Sequence, residues 1–207
     1  MIKKGWLFLF VGLSAALSGC SSGEGGSGTN EPVDACAPFM SESSVGEVEI
    51  VVRNDRAAPI YLRNDTCYSR FGIAPPGEKP HHVELTVLDV TCDEGRVRQS
   101  FPLDCFDEGV HAIEPGVTET FRWKGLFYDD VAMPASCYEK ADESSIKPAT
   151  CSQGLAATPG TLEVTVSLYA NAMENCEVGC QSGIDPFEVK HPFVFPDETT
   201  VTIPIVP

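Results

Sequence analysis

The side chains able to do chemistry in this sequence are nine cysteines, four histidines and several paired carboxylates. Nucleophilic catalysis needs a nucleophile, a base and a group that orients the base. No Gly-x-Ser-x-Gly occurs, and His81, His82, His111 and His191 are too scattered to nominate a base. His191 falls in the apolar phase of its segment and reads as a core or edge residue. A blue-copper centre needs two imidazoles and a free thiolate converging. Cys176 and Cys180 follow Met173 with no histidine just beyond them, so that pattern is missing. Cys176-x-x-x-Cys180 also lacks the second half of a zinc site. Asp93-Glu94, Asp104, Asp107-Glu108 and Asp129-Asp130 could offer oxygen ligands to calcium, but without EF-hand spacing. Carboxylates in turns are ordinarily just solvated. No phosphate loop, dinucleotide fingerprint or basic-aromatic array is present. The expectation is a protein that is not an enzyme, with no cofactor and no metal.

One cysteine stands apart. Lys3 and Lys4 precede an apolar run from about Trp6 to Leu17, which ends in Leu17-Ser18-Gly19-Cys20. A run this short does not span ~30 Å of hydrocarbon as a helix. A basic head, a short apolar stretch and small residues form the secretory pattern. The segment resembles a bacterial lipoprotein signal peptide with its lipobox. The resemblance implies cleavage before Cys20 and a diacylglycerol on its thiol, so that the membrane is a partner through the N-terminal lipid. Several acyl chains anchor stably, at about 0.8 kcal/mol per buried CH₂. Ser21, rather than Asp, follows Cys20. By resemblance to Gram-negative sorting, this implies a lipid-anchored position in the bacterial cell envelope, at the outer membrane. The segment Ser21–Asn30 holds no apolar residue and reads as a flexible tether. At about 5–6 Å × √n, it holds the domain roughly 20 Å from the bilayer on average. The expected organisation is therefore a signal peptide over 1–19, a lipidated cysteine and tether over 20–34, and one domain over 35–207.

Loss of Lys3 and Lys4 with the signal takes the formal net charge from −16 to −18. That excludes nucleic acid and polybasic docking on anionic lipid as modes of binding. The other eight cysteines are Cys36, Cys67, Cys92, Cys105, Cys137, Cys151, Cys176 and Cys180. An even set in an exported chain reads as a disulfide framework. Eight cysteines admit 105 pairings and the sequence does not choose among them. Cys92–Cys105 and Cys137–Cys151 are favoured, because each would close a loop-rich excursion between strands.

Period-two alternation dominates the domain. Val48, Ile50 and Val52 share a face, and Ile60-Tyr61-Leu62 makes a second strand. Residues 83–90 alternate and then change phase, which predicts a bulged or doubly buried strand. Pro115-Gly116 turns into a strand over 117–123 with Phe121 and Trp123 on one side. Pro159-Gly160 turns into Leu162, Val164, Val166 and Leu168 inward. The end reads as a hairpin, with Phe187, Val189, Phe193 and Phe195 turning at Pro196-Asp197-Glu198 into Val201, Ile203 and Ile205. Pro204 has no N–H to donate, so this last strand is expected at an edge or with its proline at a non-pairing position. No apolar stripe of helical period is evident. The prediction is an all-β, antiparallel Ig-like β-sandwich of about seven strands, stabilised by disulfides. The interval 125–158 reads as a long loop or short-helix insertion, where function commonly sits.

Pro115-Gly116-Val117-Thr118-Glu119-Thr120-Phe121-Arg122-Trp123-Lys124-Gly125 and Thr158-Pro159-Gly160-Thr161-Leu162-Glu163-Val164-Thr165-Val166 resemble the paired strands of Ig-like sandwiches. In particular they resemble BsuPI-type proteinase-inhibitor domains, over about a third of the domain. The resemblance implies the fold, and a protease inhibitor acting on the exported side as one alternative function. A calcium-binding surface domain is another. The expected function is a lipid-anchored, non-catalytic binding or assembly module with an envelope protein as partner. Leu126, Phe127, Tyr128, Met133 and Tyr138 are its candidate contact surface, unless they pack beneath the loop instead.

Overall fold

The computed structural model describes residues 34–64, 67–102, 104, 109–141, 146–174 and 181–207. Asp34–Pro207 is a compact unit. Its strands are β1 (Val48–Asn54), β2 (Ile60–Arg63), β3 (Phe71–Ala74), β4 (Val110–Ile113), β5 (Thr118–Trp123), β6 (Leu126–Val131), β7 (Cys151–Ala156), β8 (Gly160–Glu174), β9 (Gln181–Phe195) and β10 (Thr200–Ile205). A single α-helix among the described residues, α1, spans Cys92–Val97.

The fold is an all-β sandwich. One sheet has the order β10-β1-β5, and the other runs β3-β8-β2-β4 with β9 added to β8. The alternating residues of both sheets meet in one core. Ile50, Val52, Phe121, Trp123 and Ile203 come from the first sheet, and Leu62, Ile73, Val164, Val166, Leu168 and Phe193 from the second. Period-two burial at Val48, Ile50 and Val52, and at Leu162, Val164, Val166 and Leu168, follows the sequence pattern. Trp123 is the centrepiece. Its ring lies 4.9 Å from that of Phe195 and 6.1 Å from Phe193, and its Nε1 donates to the Leu126 carbonyl at 2.7 Å. A buried indole thus keeps a partner for its one donor.

Several expectations are corrected. Residues 83–90 form no strand. The Thr86 amide donates to Asp89 Oδ2 at 2.6 Å, and the Asp89 amide to the Thr86 carbonyl at 3.1 Å, which closes a turn. Only Val83 and Val90 of this stretch are buried, while Leu85, Val87 and Leu88 stay exposed. The C-terminal segments are not a hairpin. β9 pairs with β8 in one sheet, whereas β10 crosses to the other and pairs in parallel with β1. Both segments still bury their alternate residues, because each needs only an apolar core on one side and not the other as its neighbour. β10 is an edge strand, one of the two placements open to Pro204.

The interval 125–158 is not only loop. It opens and closes with β6 and β7, paired antiparallel from Leu126↔Ala156 to Val131↔Cys151. A second, smaller core lies beside this pair: Cys36, Cys92, Met133, Cys137, Tyr138 and Cys151. Two disulfides cross it, Cys36–Cys137 and Cys92–Cys151. The favoured local pairings, Cys92–Cys105 and Cys137–Cys151, are therefore wrong. Long-range contact decides the pairing. The Ser152 amide donates to the Val90 carbonyl at 2.8 Å, which carries the start of α1 to the start of β7. Cys67 is disulfide-bonded too. Cys105, Cys176 and Cys180 lie outside the described residues, as do Cys20, the signal and the tether up to residue 33.

Candidate binding cleft

A break in the ladder beside β8 opens a cleft. β2 and β3 lie one after the other along the same side of β8. Leu62 pairs with Leu168, and Phe71 with Val166. Between those pairs β8 advances two residues and the neighbouring chain nine. The excess must leave the ladder, and it brings Tyr68, Ser69 and Arg70 out over the outward face of β8. That face carries Ser167 and Tyr169, the polar phase of the strand, beside Pro186 and Glu188 of β9. The resulting cleft has a volume of about 600 Å³. A second hollow of about 290 Å³ shares Ser69, Ser167 and Glu188 with it and continues towards Lys79, Pro80, His81 and His82.

The walls are aromatic and arginine-bearing. The Arg63 guanidinium sits 4.3 Å over the Tyr68 ring and donates to Tyr169 Oη at 3.1 Å. Arg63 thus joins two tyrosines that arrive from different segments. Tyr68 remains 58% exposed. Arg70 lies 4.7 Å over Phe121 and pairs with Glu84 at 2.6 Å. Glu84 also accepts from the Arg70 backbone N–H at 2.7 Å, so this arginine is neutralised in place. Arg56 approaches the Phe187 ring at 5.9 Å. Gly183 completes the arrangement: a Cβ there would fall 2.4 Å from the Tyr169 ring, so only glycine lets the ring lie where it does.

The sequence-predicted contact residues lie elsewhere, two of them buried and three half-buried. Tyr138 is 4% exposed and Met133 is also buried, both in the disulfide core. Burial pushes the Tyr138 hydroxyl pKa above its ordinary value. Phe127 is half-buried against the main core, 5.5 Å from Trp123 and 4.8 Å from His81. Leu126 and Tyr128 are likewise half-buried. Burial, and secondarily the negative charge of Glu94, raises the Tyr128 pKa. The alternative that these residues pack beneath the insertion describes Met133 and Tyr138 correctly. A hollow of about 170 Å³ near Tyr128 gathers Glu84, Asp89, Asp129 and Asp130 with His82. Among the described residues no group of three or more His, Cys, Asp or Glu could hold a metal ion, and Asp107 and Glu108 lie outside those residues.

Of the remaining histidines, His111 Nε2 lies 3.7 Å from Glu119, and His191 pairs across to Val164 in β8. Sequence reasoning missed the cleft because its residues fall in three separate segments. The available signal was the polar phase of β8, Ser167 and Tyr169, opposite two tyrosine- and arginine-containing stretches. No described helix is long and apolar enough to cross a membrane. A scan of family models found no match, and neither curated proteins nor solved structures gave one.

Proposed function

We propose that this chain is a lipid-anchored protein of the bacterial cell envelope whose folded domain is a non-catalytic binding module. The cleft between the looped-out segment before β3 and the outward face of β8 and β9 carries this reading. Its volume falls within the ~300–1,000 Å³ typical of ligand sites, with an apolar wall and a few convergent polar groups. The cleft brings aromatic rings together with the hydroxyls of Ser69 and Ser167 and the carboxylate of Glu188, groups that suit recognition of a ligand. The lipobox-like Cys20 supports attachment at the N-terminus. The disulfides support an oxidising compartment.

The test has two arms. Wild-type protein made in a Gram-negative host should incorporate labelled palmitate, and Cys20→Ala should abolish incorporation. A photo-crosslinking residue at position 68 should label an envelope component, and one at exposed Val117 on the other sheet should not. Equal labelling from both positions, or from neither, would remove the cleft as the binding surface.

A further inference from the structure

The cleft lies on a sheet face and not at an edge. β8 is paired on one side by β9 and on the other by β2 and β3. Where the ladder breaks, the Ser167 amide still donates to the Arg70 carbonyl at 3.2 Å. An incoming peptide strand therefore finds no β8 ladder groups to pair with, and recognition falls to side chains. Those side chains are of two kinds. Tyr68 and Tyr169 present aromatic surface, with Tyr68 exposed and yet steadied by the Arg63 stack. Ser69, Ser167 and Glu188 present hydroxyls and a carboxylate along the line where the two hollows join.

A ligand matched to both offers flat C–H faces to the rings and many hydroxyls to the polar line. That is the surface of a pyranose sugar, which stacks on an aromatic ring and hydrogen-bonds at its rim. The joined hollows suit several units in a row. Charge narrows the class. Arg70 is neutralised by Glu84, the charges of Arg63 and Glu188 in the cleft offset each other, and the net charge of the chain is strongly negative. Anionic polymers are repelled by this field. We infer that the cleft binds an uncharged, extended oligosaccharide, with Tyr68 as the stacking platform and Glu188 as a hydroxyl acceptor. This rests on the binding-module reading above and names its ligand class.

The experiment is calorimetric titration of the full-length protein in a polyoxyethylene detergent, which carries no sugar. The probes are four neutral tetrasaccharides, of β1,4-linked N-acetylglucosamine, β1,4-glucose, α1,4-glucose and β1,4-mannose, with a proline-rich peptide and a sulfated glycan beside them. At least one neutral tetrasaccharide should bind saturably. Tyr68→Ala should weaken it about tenfold, equivalent to ~1.4 kcal/mol, and Tyr68→Trp should restore it. Glu188→Ala should weaken it also, and thermal melts should show all three variants fully folded at the titration temperature. Heat only from the peptide or the sulfated glycan, no heat from any sugar, or binding unchanged in Tyr68→Ala would each overturn the inference. If crosslinking at position 68 succeeds while every sugar fails, the ligand class is wrong and the binding module stands. If both fail, both readings fall.

Discussion

Gly183 and Asp34 show how much one residue can set. Gly183 has no side chain because the Tyr169 ring occupies that space. Gly183→Ala must move the ring, and with it the phenol that accepts from Arg63. Overpacking of this kind costs about 1–3 kcal/mol. The melting temperature should fall by a few degrees, and tyrosine accessibility in the cleft should change. Asp34 acts through charge. Its pKa is lowered, first of all by the Cys36 N–H that donates to Oδ1 at 2.9 Å, and also by Arg96, whose Nη1 lies 3.0 Å from Oδ2; partial desolvation opposes both. A carboxylate with a depressed folded-state pKa stabilises above its ordinary value of 3.8, and that contribution is lost as pH falls through the folded value. Acidification below about 3.8 should therefore loosen the hydrogen bond at the Cys36 amide while the sheets and the Cys36–Cys137 disulfide hold. Hydrogen exchange at the Cys36 amide would show it. Asp34→Asn should weaken this acid response.

At the scale of elements, two connections fix the architecture. Gly125 joins β5 to β6 at φ +68°, and a Cβ there would meet the Gly46 carbonyl at 2.7 Å and the Phe195 ring at 2.9 Å. Strain and clash act together, so Gly125→Ala should cost about 1–3 kcal/mol or more, measurable by urea unfolding. The second connection is α1 onto β7. Thr91 Oγ1 caps the helix by accepting from the Glu94 N–H at 3.1 Å, with Asp93 and Glu94 in the first turn where the helix dipole favours them. Six residues do not hold a helix in water, so its place depends on Cys92–Cys151 and the core beside it. Changing both cysteines to serine should cost about 2–4 kcal/mol. Non-reducing peptide maps should show Cys36 linked to Cys137 and Cys92 to Cys151.

At the scale of the whole molecule, stability rests on one core shared by two sheets, and the last strand is part of it. Ile203 is fully buried although β10 is an edge strand paired in parallel. Ile203→Ala should cost about 2–5 kcal/mol by denaturant unfolding, whereas exposed Val117→Ala should stay within ~0.5 kcal/mol. The smaller disulfide core stands apart from the cleft. It holds the segment that leads in from residue 34, through Gln153 Nε2, which donates to the Pro38 and Met40 carbonyls at 2.9 and 3.1 Å. The molecule therefore has a cross-linked N-terminal region, and the cleft is lined by a different set of residues.

The sequence by itself determined the class of fold and the inward face of most strands. Period-two burial is a local property: Ile50, Phe121, Val164 and Ile203 are buried whichever strand lies beside them. It also showed that Pro204 must sit at an edge or at a non-pairing position, because a missing N–H is written in the residue; the structure places it on the edge strand β10. It misled over residues 83–90, where the Asp89 turn overrides an apolar pattern, and α1 was too short for its period to register. Only the tertiary structure decided which strands are neighbours, which cysteines meet and where a cleft opens. β10 goes to β1 and not to β9, Cys92 goes to Cys151 across 59 residues, and Arg63, Tyr68, Tyr169 and Glu188 converge from three segments. These are long-range choices. A strand's own alternation is compatible with many partners, and the cleft depends on a mismatch between two strands that neither sequence reveals alone.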